Sequence, residues 1–399
     1  MLYQMTRRVR GIKRHTQKTT NLSSQTNRIL KRYWKSICSE ISKTSVPLTT
    51  KIAVDDIPMS DMYSYIPDKI RNEFETSQQS CFKCDIVLKS GRNVKIYIAT
   101  PENRTINIKI YLRNIIAWLN FVGEVASPEC AQTLNIYLLL TDAKKRFPDR
   151  DTDPIDMIHA NTAFTTSCSS NNSIFIFRRE EWFKVFMHET FHSFGLDFSS
   201  SGSDESNRRI LSIFPVIDPS TDIRLYETFC EMWAEIFNIM FCIFMDKHGK
   251  YSNFESDRFF VTLQKERIFS INQSNKILRR TGYQYSDIFK RSSSQHSSTK
   301  LPSENHSYYH ENTQAFSYYV IKSIMLWYLD KFIGWCLAHN GDNLIQFNPK
   351  CIADYCDFVK ELTEHDESYR QAVHKRTGGN STVQNEDESL RMTKITPLW

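Results

Sequence analysis

The stretch FKVFMHETFHSFGLDF, residues 183–198, constrains the fold more than any other part of the chain. Its apolar residues follow the spacing of a helix buried on nearly every side, yet it carries His188, Glu189 and His192. Polar groups in such a setting are costly unless something satisfies them. The fold must therefore surround this helix and also give partners to two imidazoles and a carboxylate. Positions four apart share a helix face, so His188 and His192 point the same way, with Lys184 a turn earlier. Glu180 and Glu181 are expected in the first turn, where acids favour the positive end of the dipole. Gly195 is expected as a left-handed C-cap.

This arrangement lets two neutral imidazole nitrogens reach one ion at about 2.0–2.1 Å, the distance zinc prefers. The pattern H-E-x-x-H has that reading built in. Glu189 would lean toward the open coordination position and take a proton from a water whose pKa has fallen to about 7. Two core histidines with ordinary hydrogen bonds are the alternative. A second segment, YETFCEMWAEIFNIMFCIFMDKHG, reads as another apolar helix, and it places Glu227, Glu231 and Glu235 on one face at i, i+4 and i+8. Three like charges there repel unless a cation or basic partners lie opposite.

With these two segments the sequence resembles the gluzincin-type zinc metallopeptidases, in which a Glu on a following helix completes the H-E-x-x-H site. "EMWAE" matches that second element. The resemblance implies Glu231 as third metal ligand beside His188 and His192, and Zn²⁺ as cofactor. It also implies Ala234 as the small residue at the helix crossing and Glu235 as the acid orienting a histidine. The register "ETFCE" stays open: it makes Glu227 the ligand, Cys230 the small residue and Glu231 the orienting acid. The run 161–199 is also similar to uncharacterised metallopeptidase-like proteins encoded by large DNA viruses. A metzincin-type site, H-E-x-x-H-x-x-G-x-x-H, would use Gly195 but meets Phe198 at its third ligand position. Asp197, one place away, would serve only if the turn differed.

Strand and helix patterns along the rest of the chain imply an α+β fold, and the resemblance implies a zincin-like core with a small mixed sheet, an active-site helix and a Glu-bearing helix, plus a helical C-terminal part. CDIVLKSGRNVKIYIAT reads as a hairpin turning at Ser90-Gly91. TLNIYLLLT, ANTAFTTSC and SIFIFR read as short strands, and by resemblance SIFIFR is the edge strand that binds extended substrate. The expected organisation is a basic flexible arm (1–50), a catalytic domain (51–289), a Ser-rich loop (290–307), a helical part (308–372) and a flexible tail (373–399).

The net charge of +6 is unevenly placed. Residues 1–39 hold ten Lys and Arg and no acid, which leaves the remainder at −4. Such an arm could meet nucleic acid or an anionic surface; a solvated tail is the plainer alternative. No apolar run is long enough, free of charge, to read as a membrane span. With no apolar segment after the basic N-terminus, no secretory signal is expected. The ten cysteines are then expected as reduced thiols in an intracellular setting, the host cytoplasm or a virion if the protein is viral. Cys81 and Cys84 have the spacing of half a structural zinc site, with ordinary thiols the commoner case. Tyr226, Tyr308, Tyr309, His310 and Tyr318 are candidates for an oxyanion donor.

These readings converge on a zinc metallopeptidase acting on a protein or peptide, with Glu189 as general base. The alternatives are a nucleic-acid or virion-associated binding protein with a structural zinc site, and an inactive scaffold of the same fold.

Overall fold

The computed structural model describes residues 21–202, 204–246, 253–289, 308–377 and 388–397. The first twenty residues of the expected arm and the Ser-rich loop 290–307 lie outside the described residues. Helix α1 (Ser24–Lys43) starts at Ser23, whose hydroxyl accepts the Thr26 N–H. Ile29, Leu30, Tyr33, Trp34 and Ile37 recur at three- and four-residue spacing and are buried, while Arg28, Lys31, Arg32 and Lys35 face solvent. This part of the expected arm is thus a packed amphipathic helix, with Tyr33 edge-on to Phe121 at 6.0 Å.

Six strands form one mixed sheet in the order β1-β2-β3-β4-β6-β5. They are β1 (Thr50–Ile52), β2 (Gln79–Val87), β3 (Asn93–Pro101), β4 (Thr133–Leu139), β5 (Ala163–Thr165) and β6 (Asn171–Ile176). The expected hairpin is β2–β3, and Gly91 takes φ +83° in its turn, a conformation that glycine adopts without steric cost. After α2 (Asp68–Thr76), helix α3 (Ile108–Gly123) crosses over between the parallel strands β3 and β4. β6 runs parallel to β4 but is not the edge, because β5 folds back antiparallel outside it, pairing Phe164 with Phe175. The expectation that SIFIFR forms the sheet edge is corrected accordingly: the edge is ANTAFTTSC.

Alternation along the strands sorts two cores. Ile96, Ile98, Ile136, Leu138, Ile174 and Ile176 face the helices. On the other face Tyr97, Tyr137, Phe175 and Phe164 form a stacked ladder with centroids 5.3, 4.3 and 5.2 Å apart. Cys81 and Cys84 fall on opposite faces of β2, so they cannot hold one ion together.

The helical side continues with α4 (Met157–Ala160), α5 (Trp182–Ser193), α6 (Asp204–Ile213), α7 (Leu225–Asp246) and α8 (Ser256–Arg280). A π-helical turn, Phe316–Ile321, runs into α9 (Lys322–Trp327), followed by α10 (Leu329–His339), α11 (Ile352–Glu364) and α12 (Glu367–Thr377). By length and composition α7 could cross a membrane, but here it is a buried core helix.

Residues 388–397, expected as flexible tail, run through the interior, with Leu390 and Thr393 fully buried. Lacking helix or strand, this segment satisfies its backbone through buried side chains. The N–H groups of Met392 and Thr393 donate to Glu181, and those of Lys394 and Ile395 to Glu266. Its carbonyls accept from Gln273, Lys276, Tyr319 and Lys322.

Candidate metal centre

Helix α5 leaves the sheet almost directly from β6. Its first residue is Trp182, so the two acids expected in its first turn lie just before it. Glu181 has φ +59° and is buried against the Lys145 ammonium at 2.9 Å, while Glu180 accepts the Lys145 N–H. The helix stops at Gly195, φ +64°, where a Cβ would lie 2.8 Å from Cys130 Sγ. Cys130 and Cys168 form a disulfide there, so these two cysteines depart from the expectation of reduced thiols. The other eight are free.

Helix α7 lies antiparallel across α5, as the contacts Phe183–Phe241 (4.8 Å) and Phe191–Phe229 (6.3 Å) define. That register distributes the three acids of α7. Glu227 Oε2 lies 2.9 Å from His188 Nε2 and 3.2 Å from His192 Nε2, and the two Nε2 atoms are 3.0 Å apart. Glu231, expected as third ligand, sits instead behind His188. Its Oε1 is 3.0 Å from Nδ1, bent from the ring's donor axis, and its Oε2 accepts from the Lys184 ammonium. Glu235, expected to orient a histidine, pairs with Lys322 at 2.9 Å and accepts the Thr393 hydroxyl. The geometry therefore follows the "ETFCE" register, and Cys230, fully buried, is the small residue at the crossing.

Asp197 Oδ2 lies 2.5 Å from His192 Nδ1, and its other oxygen accepts from the Ser199 hydroxyl. Asp197 thus favours the proton at His192 Nδ1 and leaves its Nε2 lone pair free, whereas Glu231 acts on His188 Nδ1 through its nearby charge without an aligned hydrogen bond. His188, His192 and Glu227 form a ligand triplet with all donor atoms close together. Ligands of a tetrahedral zinc ion at about 2.0–2.1 Å lie about 3.3 Å from one another. The observed spacings of 2.9–3.2 Å are close to that, and the donor set of two imidazoles and one carboxylate suits zinc. The residues fit the ion.

The electrostatics agree with a demand for positive charge. Burial disfavours charge on either ring, yet neighbouring carboxylates outweigh it: Glu227 and Glu231 at His188, Glu227 and Asp197 at His192. Both rings bind a proton more readily than free imidazole. Burial also opposes charge on Glu227, but the two rings hold its carboxyl well below the usual range. Glu189 makes none of these contacts to the rings. Burial raises its carboxyl, making it a better proton acceptor once ionised.

A cavity of about 20 Å³ adjoins His188, Glu189, Glu231 and Tyr318. Ala163, Val185 and Met392 complete much of its wall. Of the candidate oxyanion donors, Tyr318 lines this space, presented by the π-helical turn. Tyr226 flanks His192 at 5.7 Å, Tyr309 donates to Glu311, and Tyr308 and His310 face solvent. On edge strand β5, Phe177 N–H donates to Thr162 O at 2.9 Å. By antiparallel alternation Ala163 and Thr165 then turn their backbone polar groups outward, beside the cavity.

Sequence reasoning missed the roles of Lys145, Lys322 and Met392, whose partners are far away along the chain. It considered Asp197 only as a ligand. The chain matches no protein-family model, no curated protein and no solved structure.

Proposed function

We propose that this protein is a zinc-dependent metallopeptidase of gluzincin type, with His188, His192 and Glu227 as metal ligands. One observation carries the reading. Three lone-pair atoms, His188 Nε2, His192 Nε2 and Glu227 Oε2, converge in a buried space with a further carboxylate, Glu189, beside them. Such an arrangement is self-repelling unless a cation or extra protons occupy it.

When bound, zinc would polarise the scissile carbonyl and acidify the attacking water. Glu189 would accept the proton of the attacking water on its carboxylate and return it to the leaving amine. Tyr318, which lines the cavity, would donate its O–H to the developing oxyanion. Ala163 and Thr165 offer the backbone groups with which an extended peptide would pair as a further strand. Glu231 and Asp197 aim the two rings.

The deciding experiment is metal analysis of the purified chain beside Glu227→Ala and Glu231→Ala. The expected result is near-stoichiometric zinc in the parent, loss in Glu227→Ala and retention with weakened affinity in Glu231→Ala. A parent that binds no divalent metal at neutral pH ends this reading.

A further inference from the structure

The space beside Glu189 can hold one water molecule, and no substrate side chain of any size. His188, Glu189 and His192 are only 3–7% exposed. A substrate side chain finds room beside them only if part of the wall gives way. Helices α5 and α7 carry the ligands themselves, Ala163 belongs to the sheet, and Tyr318 is part of a packed helical turn. Lys145 is paired with Glu181, while Asn161 accepts the Thr313 hydroxyl and Thr162 the Phe177 N–H.

Met392 differs from these. Its backbone is held on both sides, with its N–H 3.1 Å from Glu181 Oε2 and its carbonyl 2.9 Å from Lys322 Nζ. The next residue is fixed as well, Thr393 N–H lying 2.7 Å from Glu181 Oε1. Yet its side chain is unbranched and adaptable, and its one polar contact is a weak one, Sδ at 3.9 Å from Lys184 Nζ. Hydrogen bonds fix the backbone, whereas the buried side chain is held by packing alone apart from that contact.

We propose, on the basis of the metallopeptidase reading, that Met392 fills the subsite for the substrate side chain next to the scissile bond. An entering residue replaces its thioether. The chain's own C-terminal segment thereby selects substrates. The favoured side chain is small or unbranched and apolar, able to lie against Val185 and Ala163 where the Met392 tip had been. Acidic side chains are disfavoured, since they would meet Glu189 and Glu231 while Lys145 and Lys184 are already paired.

The test measures access in the full-length chain. Parent, Met392→Ala, Met392→Leu and Met392→Trp are compared for the rate at which diethyl pyrocarbonate modifies His188 and His192 in metal-free protein. Peptide mass spectrometry reads the rate, with His374 on α12 as internal standard. The rate at which dipicolinate withdraws zinc from loaded protein is measured in parallel. Met392→Ala should raise both rates several-fold with His374 unchanged, Met392→Leu should stay near the parent, and Met392→Trp should lower both. In peptide-library cleavage, Met392→Ala should lower KM for bulkier side chains without a matching change in kcat. If Met392→Ala does not fold, the slowing by Met392→Trp decides. Equal rates across the series, or a parallel rise at His374, overturn the proposal. A parent that binds no zinc removes the metallopeptidase reading instead, and the imidazole modification series still decides whether Met392 controls entry.

Discussion

Glu227 and Glu235 lie two turns apart on one face of α7, both buried, yet they have opposite kinds of partner. Glu235 meets the Lys322 ammonium and the Thr393 hydroxyl, donors that complete its charge and hydrogen bonding within the protein. Glu227 meets two Nε2 atoms whose rings are backed at Nδ1 by further acids. One cluster is closed by an internal ammonium, Lys322, which Glu235 shares with Glu266, whose carboxyl is pushed up to about 8 by burial and by Glu235. The other is open, complete only with an added cation or with protons. The same residue type on the same face gains its role from what α5 and α9 place opposite.

The largest expected effect concerns the open cluster. Glu189→Gln should lower peptide-bond turnover by about 10²–10⁴-fold while zinc stoichiometry is unchanged; cleavage at the parental rate would remove Glu189 from the chemistry. The closed cluster should fail differently. Lys322→Met strands Glu235 as an uncompensated buried charge, a loss of about 3–5 kcal/mol. Denaturant titration should show that loss with or without added zinc. In the parent, by contrast, zinc at a hundred times its Kd should stabilise by about 2.7 kcal/mol. Calorimetry should find that gain absent in Glu227→Ala. Asp197→Asn keeps the contact to His192 but weakens the aim of its ring. Zinc affinity from chelator competition should fall by about 10–100-fold.

A pH-dependent effect lies outside both clusters, at Glu311. Burial raises its carboxyl to about 8, only partly offset by the Tyr309 hydroxyl and the Phe316 N–H. Its folded value lies above the unfolded one of about 4.3, so the neutral form is the one the fold favours. Its contribution is full below that unfolded value and is lost as pH rises through about 8. Unfolding midpoints measured between pH 4 and 9 should therefore decline less steeply in Glu311→Gln than in the parent.

Much of this was legible in the sequence where the signal was local. The α5 segment declared itself by its helical period and by Gly195, and the β2–β3 hairpin by its Ser-Gly turn. The choice between Glu227 and Glu231 was not legible, because both registers satisfy the same i, i+4 pattern. Only the packing of Phe183 on Phe241 and Phe191 on Phe229 separates them. Glu181 was misplaced because its acidity suits a first turn, whereas the fold uses it to bind Lys145 and the backbone of Met392 and Thr393. The segment 388–397 reads as polar tail because its burial depends on acids and lysines 70 or more residues away. Cys130 and Cys168, 38 residues apart, carry no spacing signal at all.

Gly195 rests directly on that sulfur bridge, two residues before the aspartate that aims His192. The turn there has no slack. Any side chain at 195 must push against sulfur, and the displacement would travel along two peptide units to the imidazole. In this chain the Cys130–Cys168 bridge and the turn that sets Asp197 against His192 are packed directly on one another.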